Sequence, residues 1–172
     1  MTSSSLSELT ATADERMLAV SGLACVERCL PVLVDDADAL RPLWAAAAAG
    51  GGTWAERLAE VRAAIGEPGP GDASAAPVRR MLDGIPDDWA SESLAAWAAL
   101  CAGLAVDVHR AADPLGDGGP LVDGERLRQT QTLDALARDE GGMGPRVALD
   151  LSTEGRRVLR AALSRKARAA GA

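Results

Sequence analysis

Between positions 12 and 33 the chain reads TADERMLAVSGLACVERCLPVL, and from Met17 to Leu33 only Glu27 and Arg28 carry charge. A helix apolar on almost every side has to be wrapped by other elements. The pattern therefore predicts a long central helix. Thr12-Ala-Asp-Glu15 has the form of a capping box, in which a hydroxyl and a carboxylate satisfy reciprocal backbone N–H groups. Pro31 lacks the N–H that the carbonyl of Glu27 would need, so the helix should kink or stop there. The Ser-rich residues 1–11 read as a flexible lead-in.

The rest of the chain supplies the wrapping. Asp35, Asp36 and Asp38 form an acidic start for a second helix through Leu40, Leu43 and Trp44, stopped by Gly50, Gly51 and Gly52. Thr53-Trp-Ala-Glu56 is a second capping box, opening a helix with Leu58, Val61, Ala64 and Ile65 as its apolar stripe and Gly66 as its end. Residues 66–77, with three prolines, are a surface loop, followed by a short turn over 78–82. A fourth helix over 89–112, capped by Asp88 or Ser91, is again apolar nearly all round and reads as a second central helix. A Gly/Pro loop over 114–124 precedes a fifth helix over 125–139, which buries Leu127, Leu133 and Leu136. The last helix, 153–169, turns Val158, Leu159, Ala162 and Leu163 inward and its arginines outward. No repeat and no strand pattern of useful length is visible. The prediction is an all-α, single-domain bundle of about six helices with two central ones.

Composition changes this picture little. Hydrophobic residues make up 48% of 172, enough for a substantial core. Phe, Tyr and Asn are absent, Lys and His occur once each, and Ala and Arg abound. This is the bias of GC-rich codons and points to an actinobacterial source. Large core volumes must come from Leu, Val, Met and four Trp. The net charge is −7, yet from Glu154 onward six basic residues face one acidic, +5, leaving −12 for the remainder. An acidic body argues against nucleic-acid binding. The opening MTSSSLSELT has neither a basic nor an apolar region of signal-peptide type. The uncharged run over 94–106 is shorter than a bilayer requires. The expectation is a soluble, cytoplasmic protein without membrane contact.

Glu27-Arg28-x-x-Pro31, preceded by a small, Cys-containing apolar run, resembles the start of the YjaG-like bacterial proteins. The Ala/Leu-rich helix ending in Val108-His109 resembles that family's mid-chain helix, and the segment 154–171 its charged terminal helix. Leu30 stands where an aromatic is expected before the proline. The resemblance implies an all-helical bundle and carries no activity.

Candidate chemistry is sparse. Glu27 and Arg28 are charges inside an apolar helix, about 100° apart around its axis, so each needs its own partner on another element or a site at the Pro31 kink. His109 has Asp113 one turn on, placed to hold its imidazole. Cys25 and Cys29 share a helix face, but Cys-x-x-x-Cys without a second pair is no metal motif, and neither thiol is flanked by a catalytic signature; Cys101 is alone. No glycine cluster matches a phosphate-binding pattern. No metal or cofactor is expected. Among the tryptophans, Trp54 and Trp89 beside helix starts are candidates to anchor a partner at a surface groove. The sequence thus reads as a non-enzymatic binding or regulatory protein of immunity or accessory type, meeting another protein, or a second copy of itself, through a helical face. The rival is a small-molecule binder or enzyme with an inter-helix cavity near Glu27, Arg28 and His109, which requires those three to converge.

Overall fold

The computed structural model describes residues 5–66, 73–139 and 141–172. They form an all-α domain of eight helices and three short 3₁₀ turns. The helices are α1 (Leu6–Ala11), α2 (Glu15–Cys29), α3 (Arg41–Ala48), α4 (Trp54–Ile65), α5 (Ala76–Asp83), α6 (Ser91–Ala112), α7 (Pro120–Ala137) and α8 (Gly144–Ala170).

Helix α2 is the predicted central element. Eleven of its fifteen residues are buried, Glu27 and Arg28 among them, and α3, α5, α6, α7 and α8 all pack on it. It stops at Cys29, and Pro31 sits in a 3₁₀ turn directly after. Asp14, rather than Thr12, caps it, accepting from the backbone N–H of Met17 at 2.9 Å. The capping box belongs instead to Ser5 and Glu8, which fold part of the expected flexible lead-in into α1. Residues 1–4 and 67–72, the latter inside the expected 66–77 loop, lie outside the described residues.

Helix α6 corrects the idea of a second wrapped rod. Leu94, Trp97, Ala98, Cys101, Leu104, Ala105, Val108 and His109 are buried at spacings of three and four. Ala96, Ala99, Gly103 and Asp107 face solvent. The outer face is apolar by residue type but small, so exposing it costs little, and the inner face packs on α5, α7 and, in its main seam, α2. That seam is tight: a Cβ on Gly22 would come within 2.4 Å of the Trp97 ring. By length and composition α6 is also sufficient to cross a bilayer, which the uncharged run over 94–106 alone did not indicate.

Other boundaries shift for local reasons. Residues 37–40 form a turn, with Asp36 accepting from the N–H of Asp38, and α3 starts only at Arg41-Pro42. Thr53 makes no side-chain cap. The 78–82 turn is the middle of a full helix, α5. Neither Asp88 nor Ser91 caps α6, whose N-cap is Ala90. Pro120 takes the first turn of α7, so this helix begins inside the expected 114–124 loop. Pro145 likewise starts α8 a turn and more before 153. Leu127 is 57% exposed, not buried.

Candidate functional site

Arg28 leaves α2 in the middle of the bundle with no exposed surface, and α7 answers it with Glu125, equally buried. The guanidinium donates Nε–H to Glu125 Oε2 at 2.7 Å and Nη2–H to Oε1 at 2.8 Å, a two-pronged pairing that fixes both planes. Nη1 faces Ser152 Oγ of α8 and Nη2 faces Cys25 Sγ, both at 3.5 Å. Gln129, one turn beyond Glu125, donates to Oε1 and to the Ala102 carbonyl of α6 at 3.0 Å each. Gly155 makes the passage: a Cβ there would stand 2.5 Å from Arg28 Cδ. One ion pair thus ties α2, α6, α7 and α8 together.

His109 of α6 joins the cluster from the other side. Its Nδ1–H donates to the Ala105 carbonyl at 2.7 Å, which leaves Nε2 as a bare acceptor, without a hydrogen-bond partner, 3.6 Å from Glu125 Oε2. Burial lowers the imidazole pKa and outweighs the opposing pull of Glu125, so the ring is neutral. Burial alone would raise Glu125. The charge and hydrogen bonds of Arg28 reverse that, and its pKa is lowered. Asp113 does not hold His109. It accepts from the N–H groups of Leu115 and Leu121 and lies against Gly119, tying the loop to the start of α7.

Glu27 does not converge with these residues. A hundred degrees further round α2, it meets Arg156 Nη1 of α8 at 2.6 Å and the Trp44 indole N–H of α3 at 3.3 Å. Arg156 also donates to the Ala37 carbonyl. Burial is the largest influence on Glu27 and raises its pKa despite Arg156. Arg156 itself is buried, an exception to the outward arginines expected of the last helix. The pair fastens α8 and the 37–40 turn to α2.

Beside the Arg28 cluster lies a partly open cavity of about 440 Å³, bounded by α1, α2, α6 and α7. Its walls are mostly small and apolar, among them Leu6, Ala98, Ala102 and Leu133. Arg28, Cys25, Gln129 and Thr132 supply polar atoms at its edge, joined by the hydroxyls of Ser7, Thr10 and Ser21. Neither Glu27 nor His109 lines it. The Thr132 hydroxyl is buried there and has no hydrogen-bond partner. Burial pushes the Cys25 thiol up to about 12, and Cys29 and Cys101 are raised for the same reason, so all three are protonated near neutral pH. Among the described residues no three His, Cys, Asp or Glu side chains are grouped to hold a metal ion.

The tryptophans divide. Trp54 is 1% exposed and donates its indole N–H to the Pro86 carbonyl at 2.8 Å, so it is a core residue rather than a surface anchor. Trp89 and Trp97 meet its ring edge-to-face at 5.3 and 6.3 Å. Trp89 is half-buried against Gly51.

Sequence reasoning missed Glu125, Gln129, Thr132 and Ser152. Val122, Glu125, Gln129, Leu133 and Leu136 repeat at three and four residues, so the stripe itself placed Glu125 on the inner face of α7. What concealed it was ending the loop at 124. Set against protein-family models, curated proteins and solved structures, the chain matches none of them.

Proposed function

We propose that the protein binds a small molecule, without transforming it, in the cavity between α1, α2, α6 and α7. The observation that carries this reading is the cavity itself. At about 440 Å³ it lies within the range of roughly 300–1,000 Å³ occupied by ligand pockets, and its mostly apolar wall with a few polar atoms is their usual make-up. The Arg28–Glu125 pair beside it fixes the spacing of α2 and α7, so the walls are pre-formed. Binding without chemistry fits the groups at hand: the thiols are protonated, the guanidinium is paired with Glu125, and the imidazole lies outside the wall.

Naphthalene is a suitable first probe, being apolar and smaller than the space. Its binding should raise the melting temperature and perturb the Ala98 and Ala102 methyl signals in NMR spectra. Ala102→Leu, which fills the cavity, should abolish both effects while the circular dichroism stays helical. Naphthalene failing to bind, or binding the filled variant equally well, would overturn the reading.

Contact with another protein is the second reading, favoured by one observation. Residues 164–172 at the end of α8 are exposed throughout and carry Arg165, Lys166 and Arg168 in a chain of net charge −7, a surface suited to an acidic partner. The large exposed hydrophobics Leu115, Leu127, Met143 and Val147 are scattered over the α6–α7 loop, α7 and the start of α8. That dispersal favours the cavity over a helical face. Truncation after Leu163 should leave naphthalene binding intact and remove only partner binding.

A further inference from the structure

Resting on that reading, we infer that the cavity selects an uncharged ligand with an apolar body and a single hydrogen-bonding oxygen, and that Thr132 takes that oxygen.

Arg28 offers an anion no net charge, because Glu125 already neutralises it. Its Nε and Nη2 are committed to Glu125, Nη2 also approaches Cys25 Sγ, and Nη1 faces Ser152. The pair sums to zero charge, and among the described residues no other Lys, Arg, Asp, Glu or His lines the cavity. A carboxylate entering would shed its hydration and find no free cation. An ammonium would find no free carboxylate, because Glu125 already accepts from Arg28 and Gln129. Buried charges without partners are strongly disfavoured, so the site rejects both.

Thr132 is the exception among the helix threonines, and it differs from buried Ser152 as well. Thr10, Thr130, Ser152 and Thr153 each turn back to the carbonyl one turn earlier, at 2.8, 3.3, 2.7 and 3.0 Å respectively. This is the ordinary way for a hydroxyl in a helix to satisfy itself. Thr132, on the same helix as Thr130, is 1% exposed, makes no such bond, and lines the cavity. A hydroxyl both donates and accepts, so an alcohol, ketone or amide oxygen of the ligand would complete it. Buried polar groups are partnered in nearly all folded proteins, and an orphan on a cavity wall marks where a ligand atom belongs. Of the other hydroxyls on the wall, Thr10 and Ser21 are already bonded to the Leu6 and Leu18 carbonyls and Ser7 is exposed to solvent, while the alanines, Leu6 and Leu133 offer apolar contact.

The test compares three probes with one ring system: naphthalene, 1-naphthol and 1-naphthoate at pH 7, titrated against the full chain and followed by ligand fluorescence. The hydroxyl should make 1-naphthol bind about five-fold tighter than naphthalene, the scale of one buried hydrogen bond. Ionised 1-naphthoate should bind at least about ten-fold more weakly than 1-naphthol. Thr132→Val keeps the shape and removes the oxygen; it should erase the preference for 1-naphthol and leave naphthalene unchanged. Thr132→Ser should keep the preference. If naphthalene binds but 1-naphthol binds no tighter, or Thr132→Val keeps the preference, this inference falls while the cavity stands. If none of the three binds, the cavity reading itself falls.

Discussion

Replacing Glu125 by alanine strips the buried guanidinium of Arg28 of the carboxylate it pairs with. Arg28 and Glu125 have no exposed surface and meet through two bonds of 2.7 and 2.8 Å. Nη1 and Nη2 would keep only the 3.5 Å contacts to Ser152 and Cys25. Leaving one member of a buried pair uncompensated costs about 3–5 kcal/mol. In a chain of this size that corresponds to a fall of roughly 6–20 °C in melting temperature. The double substitution Arg28→Met with Glu125→Leu removes both charges and fills similar volume. Its stability should lie within about 1 kcal/mol of the parent, because the desolvation cost disappears with the attraction. Urea unfolding followed by far-ultraviolet circular dichroism gives both numbers, with the slope checking that unfolding stays two-state. The reasoning is refuted if Glu125→Ala costs less than about 1 kcal/mol, the scale of an exposed pair, or if the double variant is no more stable than Glu125→Ala.

Three further expectations follow from the same geometry. His109 is held neutral in the fold, its pKa below the ordinary 6.5, and Glu125 is held ionised, its pKa below the ordinary 4.5. In both cases the unfolded chain binds the proton first, so stability declines as pH falls, beginning below about 6.5 for His109 and below about 4.5 for Glu125. Urea midpoints measured against pH should show both stages, and His109→Gln should remove the upper one. Gly155→Ala should destabilise by about 1–3 kcal/mol through the clash with Arg28, whereas Gly103→Ala, in open space on the outer face of α6, should stabilise by about 0.5–1 kcal/mol; thermal melts of the two variants give opposite shifts. Cys29 and Cys101 are buried, protonated and off the cavity wall, so an aromatic disulfide reagent at pH 8 should label these two only at the rate of unfolding. Rapid labelling of either would contradict their placement.

The sequence reveals α2 plainly because burial on all sides leaves a run with almost no charge, and it reveals the ends at Pro31 and Gly66 because backbone chemistry stops a helix there. Alanine is ambiguous by contrast. The outer face of α6 reads as apolar, yet Ala96 and Ala99 stand in solvent, since a methyl group tolerates either side. Proline and glycine mislead in the same way near 120 and 145. They punctuate loops in general, but at the first turn of a helix Pro fits, and Gly124 is carried inside α7. The site was legible on one side only. Arg28 announces itself as a charge in an apolar run, while Glu125, in a helix rich in polar residues, is betrayed only by its spacing from Val122 and Gln129. That Glu27 and Arg28 part ways follows from their adjacency, but their partners, Arg156 and Glu125, lie about a hundred residues or more away and depend on tertiary packing.

The central claim is that a ligand sits in the cavity beside the Arg28–Glu125 pair. Nuclear Overhauser contacts from bound 1-naphthol to the protein methyl groups test it most directly. The account predicts contacts to Ala98, Ala102, Thr132 and Leu133 together, fading in Ala102→Leu. Contacts confined to other residues, or to none, would contradict it.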